Sequence, residues 1–449
     1  MTVREATLQE VLDNREQRVL RQRKLMTQYG KTLICFTMNI PGPIKYNQLI
    51  LAGYTLGKTQ LLDVLRASGI NLIFQEEVYT VTGCEGFFVV DAPARDVKIL
   101  TVQLEDGDDL GRLYDMDVLT YQGDKCSREE LDLPGRKCLI CNQPASVCGP
   151  TRAHSAQMLW QRAEQLLRDG VTRARAQKIG AMAAKALLYE VGITPKPGLV
   201  DRHNSGAHQD MDIFTFFSST AALQSYFTQC ADIGMRTCQE SPKETFRMIR
   251  LAGILAEGEM FRSTGGVNTH KGAIFSLGIA CAAAGRLGGE SPISPDSLLS
   301  ECAAIAAGIV RSDFRSITQA NAHTAGERFY VNYGITGIRG QAQDGFPAVL
   351  DFGLPVLQEG LSMGLDMEQA AGAALLSILA NTDDTNLIAR SDRETQQAVK
   401  DRLARLLKTT PYPSAEVMEQ LDSEFISANL SPGGSADLLA LTLLVYFLS

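Results

Sequence analysis

A chain of 449 residues is too long for one hydrophobic core, so its length predicts two or three domains. With 45% hydrophobic and 21% charged residues it has a globular composition, and its net charge of −8 argues against a general nucleic-acid-binding protein. The charged N-terminus lacks the apolar core of a signal peptide, and the longest apolar run, 438–448, is shorter than the roughly 20 residues that span a bilayer. Ten cysteines without an export signal predict reduced thiols in the cytoplasm. The net charge and the short apolar run predict that the protein has no nucleic-acid or membrane partner.

The first part of the chain is rich in short segments of β-branched and aromatic residues. Strands are predicted at 33–40, 70–74, 78–82, 86–92, 97–105 and 112–120. Helical patterns are confined to the start and to about 47–68, so this part is expected to be α+β. From about residue 155 onward, Ala- and Leu-rich helical segments alternate with polar connections. We therefore expect two domains, 1–160 and an all-α domain 161–449, joined in a charged helix.

The segment AGYTLGKTQ at 52–60 resembles a phosphate-binding P-loop that ends in Gly57, Lys58 and Thr59. A helix N-terminus with a solvated lysine explains the same residues. No partner aspartate at the end of a hydrophobic strand is evident, which favours the helix N-terminus over the P-loop. Both interpretations stay open.

The strand predicted at 112–120 carries Asp115 and Asp117, which alternate onto one face about 7 Å apart. Paired carboxylates at this distance suit one or two Mg²⁺ ions that bridge phosphate oxygens. Pairing with the predicted strand 97–105 would add Glu105, and Arg112 lies directly before the acidic pair as a candidate substrate ligand. A solvated strand face is the alternative explanation.

Three cysteines and a histidine follow: Cys138, Cys141, Cys148 and His154. Three thiolates and an imidazole are able to form a tetrahedral Zn²⁺ site. Only one Cys-x2-Cys pair is present and the second half is irregular, so three buried or unreactive thiols are the preferred explanation, with zinc as the alternative.

Residues 1 to about 160 resemble the citrate lyase holo-acyl-carrier-protein synthases. The resemblance lies in PGPIK (41–45), APARD (92–96), GRLYDMDVLT (111–120) and the cysteine and histidine tail. It implies a nucleotidyltransferase-like mixed sheet and transfer of a phosphoribosyl-dephospho-CoA group to a serine of the citrate lyase acyl carrier protein, with release of pyrophosphate. It also implies that Asp115 and Asp117 are catalytic and hold Mg²⁺, and it gives Lys58 no role.

Five polar clusters separate the apolar helices of the second part, at 194–212, 263–278, 326–347, 381–390 and 429–444. Three of the five histidines lie in two of these clusters, beside lysines, arginines and aspartates. If the clusters converge, they supply acidic groups for Mg²⁺ and cationic groups for a triphosphate, as in a nucleotide pocket. The candidate metal ligands are Asp210, Asp212, Asp383 and Asp384. The candidate substrate ligands are Lys196, Arg202, Lys271, Arg328, Arg339, Arg390, Gly433, Gly434 and Ser435.

This second part resembles the triphosphoribosyl-dephospho-CoA synthases over nearly its full length. The shared motifs are KPGLVDRHNSGAHQDMD, GVNTHKGAIFSLG, GERFYVNYGITGIRG, DTNLIAR and LSPGGSADLLA. The resemblance implies that ATP and 3′-dephospho-CoA are joined when the 2′-hydroxyl of the CoA ribose attacks C1′ of ATP and adenine leaves. The product is the substrate implied for the first part of the chain.

Cleavage of an N-glycosidic bond passes through an oxocarbenium-like state, which carboxylates stabilise. We expect Asp384 to take part in this catalysis, with His208 or His270 as the base that accepts the 2′-hydroxyl proton. Two alternatives stay open: the same chemistry serving malonate decarboxylase, and a helical nucleotide-binding regulator without turnover.

Overall fold

The structure of the protein, a computed structural model, describes residues 4–141, 143–290 and 292–449. The chain divides into two compact units, Met1–Ala174 and Arg175–Ser449. This division falls inside the charged helical segment in which the sequence predicts the join. The expected limit at residue 160 lies earlier in the same helix and stays a prediction.

The first unit alternates helices and strands. Its elements are α1 (Leu8–Tyr29), β1 (Thr32–Met38), α2 (Gln48–Ala67), β2 (Leu72–Thr80), β3 (Gly83–Val90), α3 (Ala94–Gly107), β4 (Tyr114–Leu119), β5 (Lys125–Cys126) and α4 (Ala145–Thr151). Short 3₁₀ turns occupy Gly111–Leu113 and Glu129–Leu131. Helix α5 (Ala156–Gly192) then contains the division between the units.

The described strands form one sheet in the order β2-β3-β1-β4-β5, and each pairing is antiparallel. The α+β prediction is therefore confirmed, whereas the prediction of a mixed sheet is wrong. Alternate side chains of the central strand β1 point to opposite faces of the sheet. Five consecutive residues of β1 are buried, so the strand is covered on both faces. Phe36 stacks on Tyr54 of α2 at 4.9 Å between ring centroids, while Leu33 packs with Leu25 of α1 on the other face.

Residues 97–105 form most of helix α3, so the strand predicted there is wrong. The β-branched residues of this segment suggested a strand, but Val97, Thr101 and Glu105 are buried at intervals of four residues, which is the spacing of one helix face. Glu105 still reaches β4, because its carboxylate accepts a hydrogen bond of 2.8 Å from the backbone N–H of Met116.

The proposed P-loop at 52–60 lies inside helix α2 and forms no loop. Gly57 is buried in the helix, where an added Cβ would lie 2.6 Å from the ring of Phe36. Lys58 donates to both carboxylate oxygens of Glu77, at 2.9 and 3.0 Å. Both sequence interpretations are therefore wrong: the glycine permits close packing, and the lysine is paired rather than solvated.

The second unit contains no strand within its described residues, which confirms the all-α prediction. Its first helices are α6 (Ile213–Arg236), α7 (Pro242–Ser263), α8 (Lys271–Arg286), α9 (Pro295–Ile305), α10 (Ile309–Phe314), α11 (Ala325–Tyr333) and α12 (Gly337–Gln343). After a π-helical turn at Ala348–Gly353 come α13 (Leu354–Ser362), α14 (Met367–Asn381), α15 (Thr385–Arg390), α16 (Arg393–Thr409), α17 (Ala415–Ser427) and α18 (Gly433–Leu448).

Helices α8, α14 and α18 form the centre of the second unit. Each is apolar around most of its circumference, which is the pattern of a helix surrounded by other helices. The polar ends of these helices are consequently the places where charged residues enter the interior. Among the described residues, none of the helices combines the length and the apolar character needed to cross a bilayer.

Candidate functional site

The polar loop between α5 and α6 is held by buried carboxylates. Asp201 accepts hydrogen bonds from the backbone N–H groups of Lys196, His203 and Asn204, at 3.0, 2.7 and 3.1 Å. Asp422 of α17 accepts from the N–H of Gly198 at 2.8 Å. Gly198 has a φ of +69°, and a Cβ there would lie 2.1 Å from the carbonyl oxygen of Leu430, so only glycine fits. These buried hydrogen bonds and the close packing at Gly198 therefore fix the conformation of the loop.

This loop carries Lys196 into the interior, where it forms an ion pair with Glu190 of α5. Both side chains are almost fully buried, with exposed fractions of 1% and 4%. Burial raises the pKa of Glu190, and the nearby Lys196 ammonium opposes that rise. Because removal of one partner from a buried pair costs about 3–5 kcal/mol, the two charges depend on each other.

Residues from all five polar clusters line one cavity of about 810 Å³ in the helical unit. Helices α8 and α18 begin at this cavity, and α14 ends there. The sequence-predicted residues that line it are Lys196, His208, Asp210, His270, Lys271, Asp383, Arg390, Gly433 and Gly434.

Other predicted site residues do not line this cavity and have partners elsewhere. Arg202 pairs with Glu368, Arg339 pairs with Asp313 at 2.9 Å, and exposed Arg328 donates to the carbonyl of His323 at 3.0 Å. Asp212 caps the N-terminus of α6, where hydrogen bonds from Thr215 lower the pKa of its carboxyl group. The remaining two, Asp384 and Ser435, lie behind the cavity wall and bond to each other.

Asp384 joins the N-termini of α15 and α18. Its Oδ1 accepts from the N–H groups of Asn386 and Leu387, at 2.9 and 3.1 Å. Its Oδ2 accepts from the N–H and hydroxyl groups of Ser435, at 2.7 and 2.9 Å. Burial raises the pKa of Asp384, and these hydrogen bonds oppose the rise. The carboxylate is thus used in holding two helix ends that carry partial positive charge.

The two candidate histidines differ in whether one ring nitrogen lacks a hydrogen-bond partner. His208 uses both nitrogens, because Nδ1 lies 3.0 Å from Nη2 of Arg390 and Nε2 lies 2.8 Å from Oγ of Ser431. His270 is 2% exposed and uses Nδ1 with Oγ of Ser219 at 2.7 Å, while its buried Nε2 has no partner. Burial lowers the pKa of His270 to about 3, so the ring is neutral near pH 7. The pKa of His208 is also lowered, by burial and then by Arg390.

Sequence reasoning missed Glu190 and Asp437, which both line the cavity. Burial raises the pKa of Asp437 well above its usual range, and the charges of Glu190 and Asp384 raise it further. A signal was present for each residue: Asp437 is the one charged residue of α18, and Glu190 lies in the apolar segment 186–193. An isolated acid in an apolar helix indicates a buried carboxyl group that requires a partner.

Further polar residues that the predictions left out also line the cavity. They are Asn268, Asp344, Asn381, Asn386, Arg393 and Lys400. Lys400 donates to Oδ1 of Asp383 at 3.0 Å, and Lys271 pairs with Glu257 at 3.0 Å. The cavity therefore presents carboxylates and cationic side chains together.

In the first unit, Asp115 and Asp117 occupy the same partly exposed face of β4, as strand alternation requires. Asp115 pairs with Arg136 at 3.1 Å, and Asp117 pairs with Lys125 at 2.6 Å. Burial raises the pKa of Asp115, and Arg136 opposes that rise. Both carboxylates are therefore paired with basic side chains and only partly exposed to solvent.

A second cavity of about 1210 Å³ lies in the first unit and is lined by Arg112, but not by Asp115 or Asp117. Its basic lining residues are Lys45, Arg112, Arg128, Arg136, Lys137 and Arg152. Buried Glu105 pairs with both Arg128 and Arg136 at one side of the cavity. The candidate zinc ligands Cys138, Cys148 and His154 also border it.

Two family models match the chain, and their limits agree with the two compact units. Residues 6–170 match the model of apo-citrate lyase phosphoribosyl-dephospho-CoA transferase. Residues 176–449 match the model of ATP:dephospho-CoA triphosphoribosyl transferase.

Two similar proteins match nearly the whole chain, and a third matches part of it. Protein CitXG of Haemophilus influenzae is 35% identical over 99% of this chain and 96% of its own length. Protein CitXG of Leuconostoc mesenteroides subsp. cremoris is 35% identical over 97% of this chain and 96% of its length. A probable 2-(5''-triphosphoribosyl)-3'-dephosphocoenzyme-A synthase of Albidiferax ferrireducens is 42% identical over 59% of this chain and 89% of its length. The chain therefore belongs to the CitXG family, and it is a bifunctional transferase for the citrate lyase prosthetic group.

Proposed function

We propose that the helical cavity binds ATP and 3′-dephospho-CoA, joins them and releases adenine. The first unit then transfers the phosphoribosyl-dephospho-CoA group to a serine of the citrate lyase acyl carrier protein and releases pyrophosphate. The observation that carries the first step is the meeting of five separate polar clusters at one cavity of about 810 Å³. This volume lies in the range of roughly 300–1,000 Å³ that is usual for small-molecule sites.

The charges of the cavity support a metal-bound triphosphate as its ligand. The cationic side chains of Lys271, Arg390, Arg393 and Lys400 suit phosphate oxygens, but the carboxylates of Asp210 and Asp383 would repel a bare polyanion. Carboxylate oxygens are the protein ligands that Mg²⁺ prefers, so these two aspartates fit the ion. Bound there, Mg²⁺ would neutralise charge on the triphosphate. Asp212 and Asp384 we now assign to helix ends rather than to the metal.

His270 is the better candidate base of the two histidines. In the tautomer in which Nδ1 donates its proton to Ser219, the unpartnered Nε2 carries a lone pair that would accept the 2′-hydroxyl proton. A pKa of about 3 keeps the ring neutral, and the negative charge of a bound triphosphate would raise that pKa toward a useful range. The carboxyl groups of Glu190 and Asp437 also line the cavity, where their charged forms would stabilise the oxocarbenium-like state at C1′.

For the second step we propose that Asp115 and Asp117 hold Mg²⁺ on a nucleotidyltransferase-like sheet. Two carboxylates on one face of an antiparallel strand support this assignment, and the basic cavity that includes Arg112 suits the triphosphate arm of the substrate. Ten cysteines without a disulfide fit a reducing compartment, so we place both steps in the cytoplasm.

The test follows adenine release by chromatography from ATP, with and without 3′-dephospho-CoA. We expect release only with both substrates, and a loss of roughly 10- to 100-fold in kcat/KM for ATP in Lys271→Ala, because a charge-assisted contact is worth about 1.5–3 kcal/mol. Lys243→Ala is the matched control, since Lys243 is an exposed lysine of the same unit that does not line the cavity.

Three outcomes would contradict the proposal. Adenine release without 3′-dephospho-CoA would indicate an N-glycosidase that transfers the ribosyl group of ATP to water, and nucleotide binding without any release would favour a regulator. Equal losses in both lysine variants would remove the cavity from the reaction. In the second step, labelling of a malonate decarboxylase carrier in preference to the citrate lyase carrier would reassign the acceptor.

A further inference from the structure

Four potential metal-binding side chains in the first unit come together although they are spread over residues 138–154. One ligand atom from each of Cys138, Cys141, Cys148 and His154 lies within 4.8 Å of all the others. The sulfur atoms of Cys141 and Cys148 are 3.4 Å apart, and Nε2 of His154 lies 3.2 Å from the sulfur of Cys141. The described cysteines of this unit outside the group are instead buried singly among apolar residues.

Local backbone structure brings these ligands together. The N–H of Cys138 donates to the carbonyl of Gln143 at 2.7 Å, so the chain turns back between the first two cysteines and α4. The N–H of Ile140 points to the sulfur of Cys138 at 3.5 Å, and such a contact favours a thiolate. Helix α4 carries Cys148. Arg152, which follows the helix, has a φ of +49°, and this left-handed conformation turns the chain so that His154 lies near the cysteines.

The distances agree with a tetrahedral ion and not with a disulfide. Bonds of about 2.3 Å from zinc to sulfur place two sulfur ligands roughly 3.8 Å apart, close to the observed separation, whereas a disulfide requires about 2.05 Å. Three thiolates and one imidazole are a usual ligand set for structural zinc. Four protein ligands complete the tetrahedron and leave no position for substrate.

We propose that Cys138, Cys141, Cys148 and His154 bind one structural Zn²⁺ ion that holds a wall of the cavity in the first unit. The ligand segment has little other support, because it contains only the short helix α4 and many of its residues are exposed. The ligand segment and the two residues directly before it also bring basic side chains to the cavity. Arg136, Lys137 and Arg152 line the cavity, and Nη2 of Arg112 donates to the carbonyl of Cys138 at 2.6 Å.

The first test measures metal content in the full-length protein, purified under reducing conditions and dialysed. We expect about one zinc per chain, lost in Cys141→Ser and in His154→Ala. Cys238→Ser is the matched control because Cys238 is an exposed thiol of the other unit, and it should keep its zinc. Absence of zinc, another metal in its place, zinc that persists in Cys141→Ser, or a Cys141–Cys148 disulfide found by mass spectrometry would overturn the proposal.

The structural role has its own readout, which does not depend on catalysis. Trp160, the one tryptophan of the chain, packs against the core of the first unit, so its fluorescence during urea unfolding follows that unit. Removal of zinc with a selective chelator should shift this transition to lower urea, and added ZnCl₂ should restore it. An unchanged transition would overturn the structural role, even if adenine release proves the proposed synthase reaction correct.

Discussion

At the residue scale, the helical cavity contains buried ionisable groups whose charge is set by their surroundings. His270 is kept neutral by burial and by the charge of Lys196, whereas burial and the neighbouring carboxylates raise the pKa of Asp437. These two groups have opposite effects on stability as pH falls. A buried histidine that resists protonation favours unfolding in acid, whereas a carboxyl group with a raised pKa opposes it.

We predict that His270 makes the helical unit less stable as pH falls from about 6.5 toward 3. In this window the unfolded histidine binds a proton and the folded one does not, so its contribution changes by at most about 1.4 kcal/mol per pH unit. The measurement is urea unfolding by far-UV circular dichroism at several pH values, for the parent and His270→Asn, whose amide can still bond Ser219. The stability of the parent relative to the variant should decline through this window. A difference that does not change with pH would contradict the prediction.

Residue by residue, the sequence located the cavity-lining residues of loops and helix starts better than those within helices. Lys196, His208, Asp210 and Lys271 lie in polar loops or at a helix start, where glycine and proline mark an ordered connection. Glu190 and Asp437 lie within apolar helices, where periodicity indicates core and hides a single acid. The sequence placed Asp384 in a polar cluster, and residues of that cluster do line the cavity. It did not show that backbone N–H groups donate to this carboxylate, because one of them belongs to α18, which is distant in sequence.

At the element scale, the start of α8 lies very close to α18. A Cβ added at Gly272 would lie 1.9 Å from Oδ2 of Asp437, and that carboxyl group accepts a hydrogen bond from the N–H of Ala273. The acid therefore lies at the positive end of the α8 dipole. A side chain at position 272 would displace the carboxyl group of Asp437 from this position.

We predict that Gly272→Ala lowers adenine release by at least about tenfold, since displacement of an aligned catalytic group commonly costs more than 1.4 kcal/mol. Gly258→Ala is the matched control, because Gly258 lies within α7 with open space around its Cα. That change should stabilise the helical unit by about 0.5–1 kcal/mol in unfolding experiments and leave adenine release at the parent rate. Parent activity in Gly272→Ala would show that the close approach does not position Asp437.

The strands predicted at 33–40, 86–92 and 112–120 correspond to β1, β3 and β4, whereas those predicted at 70–74 and 78–82 form the single strand β2. Helix α3 shows where such prediction fails, because its sequence contains Val97, Ile99, Thr101 and Val102, residues that favour a strand when considered singly. The helix forms because one of its faces packs on β4, where Lys98 donates to the carbonyl of Met116 at 3.0 Å. This partner is a tertiary contact, and local propensity does not contain it. The antiparallel sheet order was unpredictable for the same reason.

At the scale of the whole molecule, the two proposed reactions belong to separate compact units. Each unit has its own apolar core and its own cavity. The product of the helical unit is the substrate of the first unit, so one chain carries two consecutive steps. A lesion in one cavity should consequently leave the chemistry of the other intact.

We predict that two full-length variants, each impaired in one of the two steps, complement each other. Lys271→Ala lacks a cation of the helical cavity, and Asp117→Asn lacks a carboxylate charge of the first unit. Neither variant alone should label the citrate lyase carrier from ATP and 3′-dephospho-CoA at the parent rate. Their mixture should restore labelling, at a rate that falls on dilution because the intermediate must diffuse between molecules. Failure to complement under conditions where each variant stays folded would indicate that the intermediate is not released.

The burial pattern of the cysteines offers a route to optical measurement. Cys230, Cys281 and Cys302 are buried thiols whose pKa values are raised, which makes them poor nucleophiles. Among the described cysteines, Cys238 is the exposed one outside the metal-ligand group. A maleimide dye should therefore couple selectively there while a bound ion protects Cys141 and Cys148. With Trp160 as the natural donor in the other unit, resonance energy transfer would test whether the distance between the two labelled positions changes during turnover.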